Sequence, residues 1–279
     1  MQIHTTIPSL RAARAQAGRV ALVPTMGNLH DGHITLMREA ARHADTVVAS
    51  IFVNRLQFGP SEDFAKYPRT LEADSARLEA AGVTHLFAPT EAAMYPQPQR
   101  YHVDPAPEHV SILEGALRPG HFRGVATVVL KLFNIVAPDV ALFGKKDYQQ
   151  FIVLQNMAQD LALPIELIAH DTVRAADGLA FSSRNGYLSA PERLEAPRLY
   201  QQLSAIANAI RKGARHYAEL EAAAIAELTR HGWQPDYLTV RRRADLQIAE
   251  KIAEKTDEAL VVLAAARLGN TRLIDNLEI

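Results

Sequence analysis

The stretch that decides the fold reads Val20-Ala-Leu-Val-Pro-Thr-Met-Gly-Asn-Leu-His-Asp-Gly-His33, an apolar run that passes directly into a turn of glycines and histidines. Apolar side chains then recur at helical spacing over residues 34–44, and this pattern predicts a helix. Residues 46–53 are mostly β-branched and apolar, which is typical of a strand buried on both faces. Strand, helix and strand in this order predict a right-handed β-α-β unit.

The same alternation continues to residue 169. Helical patterns and short apolar runs follow one another, and this order predicts a parallel sheet covered by helices. The predicted fold class is therefore α/β, with a Rossmann-like, doubly wound parallel sheet. The predicted helices cover residues 70–81, 124–137 and 147–161, and the predicted strands cover residues 85–88, 139–143 and 165–169.

The pattern changes near Asp177-Gly178, where we expect a hinge. The sequence predicts a first domain over residues 1–176 and a smaller α+β domain over residues 177–279. In the second domain two Ala-rich amphipathic helices precede three strands, and these elements are predicted at residues 194–212, 217–231, 237–241, 260–265 and 272–275. The Pro-rich segment 89–107 is predicted to be a loop.

Composition excludes several classes of function. The 279 residues are 48% hydrophobic and 22% charged, with a net charge of −1, so no overall positive field favours a nucleic acid partner. The basic run at residues 241–243 is typical of a solvated strand end. The absence of cysteine excludes thiolate catalysis and zinc–thiolate sites. No signal segment is present and the most apolar stretch, 125–136, is too short to span a bilayer, so we expect a cytoplasmic protein without a membrane partner.

The turn after the first strand has the chemistry of a phosphate site. Gly27 and Gly32 allow close approach of the backbone, and the start of a helix offers unpaired N–H groups at its positive end. His30 and His33 can donate hydrogen bonds to phosphate oxygens, and a polyphosphate would favour their protonated forms. Two ordinary surface histidines are the alternative, but a His-x-Gly-His pattern directly after a strand marks the nucleotidyltransferase and class I synthetase superfamily. We therefore expect ATP here.

Two further clusters could bind an anionic substrate. Asn54 and Gln57 follow the second strand and could bind the hydroxyls and carboxylate of a small acid, although a simple strand-to-loop transition also explains them. Arg118, His121 and Arg123 lie among glycines and suit an anionic ligand. Alternatively, Glu114 could hold Arg118 in a structural ion pair, so this cluster stays open between binding and structure.

Two more segments suit phosphate and ribose. Lys145 and Lys146 lie where a predicted strand meets a helix, although Lys145 also fits an ordinary surface lysine. Asp147 suits a helix N-cap or a ribose hydroxyl, and Gln150 follows one turn later. The segment 182–184 combines two serines with Arg184, which is typical of a mobile loop that closes on phosphate.

Together these motifs resemble the pantoate–β-alanine ligase family over essentially the whole chain, in the family's order and spacing. The matching motifs are Pro24-Thr-Met-Gly-Asn-Leu-His-Asp-Gly-His33, Tyr67-Pro-Arg-Thr70, Arg118-Pro-Gly-His-Phe-Arg-Gly-Val125, Lys131-Leu-Phe-Asn134, Gly144-Lys-Lys-Asp-Tyr-Gln-Gln150, Ser182-Ser-Arg-Asn185 and Thr271-Arg-Leu-Ile-Asp-Asn276. The resemblance implies that ATP and (R)-pantoate form pantoyl adenylate and pyrophosphate. β-Alanine then attacks the adenylate to give pantothenate and AMP. The resemblance also implies Mg²⁺, a C-terminal lid domain and a homodimer.

The resemblance also assigns roles to individual residues. It implies catalytic roles for His30, His33, Lys146 and Arg184. The expected ATP contacts are Met26, Gly27, His30, Gly32, His33, Gly144, Lys145, Lys146, Asp147, Val173, Phe181, Ser182, Ser183 and Arg184. The expected pantoate ligands are Asn54, Gln57 and Gln150. Gln57 also borders the expected β-alanine site, and Asp74 matches an acid near the metal.

Four positions depart from the family pattern. Arg55-Leu56 stands where Pro-Met is common, which predicts a looser loop before Gln57. Phe181 replaces a usual Met or Leu, and Ala73 replaces an acid that some relatives carry.

Three other functions are alternatives to this one. An adenylate-forming enzyme for a different acid fits the His-x-Gly-His turn, but the pair Gln57 and Gln150 favours pantoate. A tRNA synthetase fits poorly, because the charge is balanced and no anticodon-binding domain is evident. A catalytically silent nucleotide-binding regulator would be favoured by loss of His33, Lys146 or Arg184, and all three are present.

Overall fold

Residues 1–60, 62–249 and 258–279 are described in the computed structural model. They divide into two units by contact. The N-terminal unit takes residues 1–145 and 149–171, and the C-terminal unit takes residues 146–148 and 172–279.

The N-terminal unit is built on a six-stranded sheet in which every described pairing is parallel. The strand order is β1-β4-β3-β2-β5-β6, so the chain reverses its direction of winding next to β2. The predicted doubly wound parallel sheet is confirmed. The strands are β1 (Gln2–His4), β2 (Val20–Thr25), β3 (Thr46–Ile51), β4 (His85–Phe87), β5 (Val140–Gly144) and β6 (Glu166–His170). The short β1 was not predicted, since three residues carry too little pattern.

Helices connect these strands. The long ones agree with the periodicity of the sequence to within a few residues at each end, apart from α1, which was not predicted. One short helical turn, α4, falls within the predicted loop 89–107, where Thr90 caps it. A second, α5, begins at Pro107, the last residue of that loop. The helices are α1 (Ile7–Arg14), α2 (Asp31–His43), α3 (Leu71–Ala80), α4 (Glu91–Met94), α5 (Pro107–Val110), α6 (Leu113–Leu117), α7 (His121–Val136) and α8 (Tyr148–Asp160).

Strand β2 lies at the centre of the sheet, between β3 and β5. Its successive residues Leu22 and Val23 point to opposite faces, yet both are almost completely buried. Burial on both faces is the arrangement that the continuous apolar run of the sequence predicts. The turn after β2 therefore follows the buried centre of the sheet.

The C-terminal unit packs its two long helices against a separate antiparallel sheet of order β7-β8-β9. Its elements are α9 (Ala190–Glu195), α10 (Arg198–Arg211), α11 (Tyr217–Arg230), β7 (Trp233–Arg242), β8 (Leu260–Leu268) and β9 (Thr271–Glu278). The helix predicted over residues 194–212 is two helices instead. Pro197 separates them, because proline lacks the N–H that a continuous helix would need. Arg241 and Arg242 end β7, so the predicted strand end is confirmed, although both residues are half-buried rather than solvated.

The division between the units differs from the predicted boundary at residues 176 and 177. The chain passes into the C-terminal unit at Thr172. Asp177 and Gly178 lie at the tip of a tight hairpin inside that unit, where Gly178 has a φ of +93° and its N–H donates to the carbonyl of Ala175. The sequence signal was therefore that of a turn rather than a hinge.

Within the described ranges, no helix combines the length and the apolar character that a membrane crossing needs.

Candidate active site

The turn after β2 has a backbone that only glycine fits well. Gly27 has a φ of +84°, in the left-handed region. A Cβ atom there would lie 3.0 Å from Cγ2 of Ile51 and 3.1 Å from Oδ2 of Asp74. Both the conformation and the space therefore keep this part of the backbone bare, as a phosphate-binding turn requires.

The side chain of Asp74 fixes this turn by accepting hydrogen bonds from its backbone. Its side chain is buried, with 2% of its surface exposed. The carboxylate accepts the backbone N–H groups of Asn28 and Leu29, each at 2.8 Å, and the hydroxyl of Thr70 at 3.0 Å. Backbone dipoles thus stabilise the buried charge, and the turn is fixed by a residue of helix α3.

His30 and His33 lie at the start of α2. Their ring centroids are 4.0 Å apart. The backbone N–H of His30 donates to Nδ1 of His33 at 3.3 Å, so this nitrogen acts as an acceptor. With Nδ1 as an acceptor, Nε2 is the nitrogen from which the His33 ring can donate.

Gln57 lies against the same turn. Its Nε2 atom is 3.3 Å from the sulfur of Met26, and 9% of the residue is exposed. It ends a short 3₁₀ turn, Arg55–Gln57, that follows β3. The structure therefore brings a glutamine predicted to bind an acid into contact with the turn predicted to bind ATP.

Asn54 orients Gln57. Its Nδ2 donates to Oε1 of Gln57 at 3.1 Å and to the carbonyl of Gly124 at 3.2 Å, and its Oδ1 accepts the hydroxyl of Tyr95 at 2.8 Å. Only 1% of Asn54 is exposed. Burial raises the pKa of the Tyr95 phenol, which keeps it a hydroxyl donor. The nitrogen of Lys131 lies 4.5 Å from the centroid of the Tyr95 ring.

The cluster of Arg118 and His121 is structural rather than anion-binding. Arg118 pairs with Glu62 through two hydrogen bonds of 2.6 and 3.0 Å, so the alternative pairing with Glu114 is wrong. Arg118 also contacts Nε2 of His121 at 3.0 Å, and Nδ1 of His121 donates to the carbonyl of Gln57 at 2.8 Å. Burial, together with the nearby Arg118 charge, lowers the pKa of His121 to about 4. Neutral His121 therefore braces the backbone of Gln57.

Arg55 makes the loop before Gln57 tighter than its sequence predicted. Its Nε donates to Glu91 at 3.1 Å, and its guanidinium carbon lies 4.4 Å from the centroid of the Phe64 ring. On the other side the carbonyl of Leu56 packs against Gly124, where an added Cβ would lie only 2.2 Å away. These contacts take over the restraint that a proline would have given.

The two glutamines after β5, Gln149 and Gln150, have different surroundings. Gln149 is buried, accepts the N–H of Glu114 at 2.9 Å and donates to the carbonyl of His109 at 2.7 Å. Gln150 is half-buried, which leaves it the better placed of the two to meet a ligand. Lys145 forms an ion pair of 2.7 Å with Asp171.

The remaining predicted ATP contacts belong to the C-terminal unit. The carbonyl of Val173 accepts the N–H of Phe181 at 3.1 Å, which closes the hairpin described above. Ser182 begins a 3₁₀ turn, Ser183–Tyr187, and its hydroxyl accepts the N–H of Arg184 at 3.2 Å. The structure therefore assigns a local role to Ser182. The members of this group are Lys146, Asp147, Val173, Phe181, Ser182, Ser183 and Arg184.

Three residues that sequence reasoning did not place in the site support it directly. Thr70 lay within a recognised motif but had no assigned role. Glu62 and Tyr95 gave no signal, because their partners Arg118 and Asn54 are 56 and 41 residues away along the chain. Only the folded chain brings these pairs together.

Within the described ranges, no three His, Asp or Glu side chains are grouped so that they could hold a metal ion. The hydrogen bonds that Asp74 accepts engage both of its carboxylate oxygens. The protein side of this site therefore does not fit a magnesium ion held by its own carboxylates.

Comparison with known proteins agrees with the geometry. The family model described as pantoate-beta-alanine ligase matches residues 2–278. A pantothenate synthetase of Neisseria meningitidis serogroup C is 60% identical over 100% of this chain and 99% of its own length. The pantothenate synthetase structure of Thermus thermophilus is 44% identical with a TM-score of 0.92, over 100% and 99% of the two chains. A pantoate-beta-alanine ligase of Francisella tularensis, complexed with beta-gamma ATP and beta-alanine, is 32% identical with a TM-score of 0.81, over 100% and 97%.

Proposed function

The chain belongs to the pantoate–β-alanine ligase family, and from that premise we propose that it joins (R)-pantoate to β-alanine through a pantoyl adenylate. It is an ATP-binding ligase of pantothenate biosynthesis. The observation that best supports the adenylate route is the contact between Gln57 and Met26 at 3.3 Å. This contact sets an acid-binding side chain beside the nucleotide turn, and formation of an adenylate needs the two substrates to be adjacent.

The proposed reaction balances in two steps. In the first, a carboxylate oxygen of pantoate forms a bond to the α-phosphorus of ATP, and the bond to pyrophosphate breaks. In the second, the amine of β-alanine bonds to the carbonyl carbon, AMP leaves with the bridging oxygen, and the amine loses a proton. Neither step needs a nucleophile from the enzyme, which fits a chain without cysteine.

The N-terminal unit would bind the phosphates. The start of α2, with Gly32 in its first turn, would offer backbone N–H groups at the positive end of a helix, and Met26 and Gly27 would border the phosphates. His30 and His33 would add ring N–H donors. In this role His33 stabilises charge on the α-phosphate and on the departing pyrophosphate rather than removing a proton.

The same unit would bind both acids. Gln57 and Gln150 are the proposed pantoate ligands, and Gln57 also borders the proposed β-alanine site. Since the amide and carbonyl of buried Asn54 already bond to protein groups, its part in pantoate binding is to hold the side chain of Gln57 in place.

Further proposed ATP contacts lie in the C-terminal unit. We propose that Lys146 contacts phosphate, that Asp147 contacts ribose and that the backbone of Val173 contacts adenine. The segment from Phe181 through Ser182 and Ser183 to Arg184 would close over the phosphates, and Gly144 and Lys145 would border them. Exclusion of water would protect the reactive adenylate from hydrolysis.

Mg²⁺ is proposed as the ion that accompanies ATP. Because the carboxylate oxygens of Asp74 accept hydrogen bonds from the turn, we assign the ion to the phosphate oxygens and not to this side chain. We also propose a homodimer, which rests on the resemblance to the family.

The adenylate is tested by isotope exchange. The protein is mixed with ATP, Mg²⁺ and pantoate, without β-alanine, and labelled pyrophosphate is added. Reversible adenylate formation returns label to ATP only when pantoate is present. Oxygen-18 in the pantoate carboxylate should then appear once in AMP when β-alanine is added. Exchange that requires β-alanine would contradict the proposed order, and AMP formation that needs a different acid would contradict the proposed substrate.

A further inference from the structure

The motif Thr271–Asn276 has no part in the reaction described so far, yet it ends in two buried polar residues. Asp275 and Asn276 are each 5% exposed, although β9 is an edge strand of its sheet. Buried polar groups in native proteins have hydrogen-bond partners. Asp275 bonds to Arg174, which follows the proposed adenine contact Val173, and Asn276 bonds to Lys146, the proposed phosphate contact.

Asp275 and Arg174 fix the backbone of Asn276 from both sides. The two terminal nitrogens of Arg174 donate to the carboxylate of Asp275 at 2.6 and 2.9 Å. The same carboxylate accepts the N–H of Asn276 at 2.8 Å, and Arg174 donates to the carbonyl of Asn276 at 3.0 Å. The guanidinium also lies 3.7 Å from the ring centroid of Tyr200. Asn276 is therefore held in one orientation.

The side chain of Asn276 reaches the phosphate-binding segment. Its Nδ2 donates to the carbonyl oxygen of Lys146 at 2.9 Å, across 130 residues of sequence. Two residues further along both segments, the hydroxyl of Tyr148 donates to Glu278 at 2.9 Å, and Arg243 pairs with the same carboxylate at 2.8 Å. Residues two apart on a strand share a face. One face of β9 thus forms hydrogen bonds with residues 146 and 148.

These bonds explain why residues 146–148 belong to the C-terminal unit while residues 145 and 149 belong to the other. We propose that Asn276 is a positioning residue for ATP, because it fixes the peptide from which the Lys146 side chain extends. The proposal rests on the proposed function in that it takes Lys146 as a phosphate ligand. Asn276 itself contacts no reacting atom, so its effect must pass through Lys146.

The two half-reactions separate this role from a purely structural one. In Asn276→Ala we expect pantoate-dependent exchange of pyrophosphate into ATP to slow about tenfold, the effect typical of a lost buried hydrogen bond. The reaction of supplied pantoyl adenylate with β-alanine should change less than about twofold, since it follows loss of pyrophosphate. Asn276→Asp should slow exchange at least as much, because it places a carboxylate oxygen against the Lys146 carbonyl. Asn270→Ala, at the exposed turn between β8 and β9, is the matched control and should react normally.

A double-mutant cycle with Lys146→Ala decides whether the effect passes through Lys146. If Asn276 acts through Lys146, adding Asn276→Ala to Lys146→Ala should slow exchange no further. A tenfold additional loss in the double variant, or equal slowing of both half-reactions, overturns the positioning role. Should Asn276→Ala fail to fold, as shown by circular dichroism, Asn276→Asp replaces it in the cycle. Normal exchange in Lys146→Ala alone would overturn the phosphate role of Lys146 itself. This result is distinct from an additional loss in the double variant, which concerns Asn276.

Discussion

At the scale of single residues, Asp74 shows how a buried charge sets the shape of the site. Its carboxylate lies beneath the turn and accepts two backbone N–H groups, from Asn28 and Leu29. These dipoles, with the hydroxyl of Thr70, substitute for the water that burial removes. The carboxylate of Asp74 therefore stabilises the backbone of the turn. For this reason a role as metal ligand does not fit Asp74.

Asp74→Asn should loosen the turn. The new amide would face a backbone N–H with its own donor, and we expect a loss of about 1–3 kcal/mol in the free energy of unfolding. The affinity for ATP should fall, whereas the Mg²⁺ concentration for half-maximal activity should stay the same. Urea unfolding and calorimetric titration with ATP measure the two losses. Glu72→Gln, exposed on the same helix, is the control. A raised Mg²⁺ requirement with unchanged stability would return Asp74 to the metal.

His121 should make stability fall in mild acid. Its pKa is lowered from 6.5 to about 4, first by burial and then by Arg118. Between these values the unfolded chain binds a proton that the folded chain does not, so stability is complete above pH 6.5 and declines as the pH falls to 4. The loss amounts to about 3 kcal/mol, at about 1.4 kcal/mol for each pKa unit.

The contribution of His121 is isolated by comparison with His121→Asn, which cannot titrate in this range. The free energy of unfolding of both proteins is measured in urea from pH 7 to pH 4, and the difference between the two curves should change by the amount given above. Parallel curves for the natural protein and His121→Asn would show that His121 does not have this lowered pKa.

At the scale of elements, the site depends on how closely α7 approaches the 3₁₀ turn that carries Gln57. Gly124 permits this approach, because the carbonyl of Leu56 occupies the place of its absent side chain. His121 and Gly124, one turn apart on α7, both bond to the segment from Asn54 to Gln57. One helix therefore holds the backbone of Gln57, while Asn54 and Tyr95 hold its side chain.

Gly124→Ala should destabilise the protein, although alanine is the better helix former by about 1 kcal/mol. The added Cβ would lie 2.2 Å from the Leu56 carbonyl and 2.6 Å from the N–H nitrogen of Gln57, so α7 or the turn must shift. Such overpacking costs about 1–3 kcal/mol. Thermal unfolding and the KM for pantoate measure the effect, and we expect KM to rise. Gly186→Ala has open space and should be neutral. A more stable Gly124→Ala protein would contradict the described packing.

At the scale of the whole molecule, each unit has its own core. The N-terminal core gathers around the parallel sheet, and the C-terminal core gathers around β8 with α10 and α11. The single tryptophan, Trp233, belongs to the second core and is 1% exposed. Its fluorescence therefore reports on the C-terminal unit alone, whereas circular dichroism reports on both.

Because the cores are separate, core mutations should act on one unit at a time. Leu203→Ala removes a fully buried side chain of the C-terminal core and should cost about 2–5 kcal/mol, seen as an earlier fluorescence transition in urea. Leu86→Ala, equally buried in the N-terminal core, should shift the transition seen by circular dichroism and leave the fluorescence midpoint in place. Identical shifts with both probes in both variants would show that the two units unfold as one.

The sequence by itself determined the parallel sheet, the alternation of strands and helices along the chain from β2 onward and the turn that follows β2. These follow from the spacing of apolar residues and from glycine and proline, which act within a few residues of themselves. The same local signals identified the His-x-Gly-His turn and the family. These signals predicted a hinge at Asp177, where the chain forms the tip of a hairpin, since tight turns leave similar patterns in linkers and in hairpins. They also predicted one continuous helix across Pro197.

Only the tertiary structure decided which polar residues hold the site. In the folded chain Arg118 pairs with Glu62, and Asp74 accepts hydrogen bonds from the turn. Gln149 is buried, and the carbonyl of Lys146 accepts a hydrogen bond from Asn276. Three of these contacts join residues 56, 45 and 130 positions apart. Local patterns cannot specify such pairs, because a hydrogen bond depends on distance and direction in space, and these are fixed only when the sheets and helices have packed.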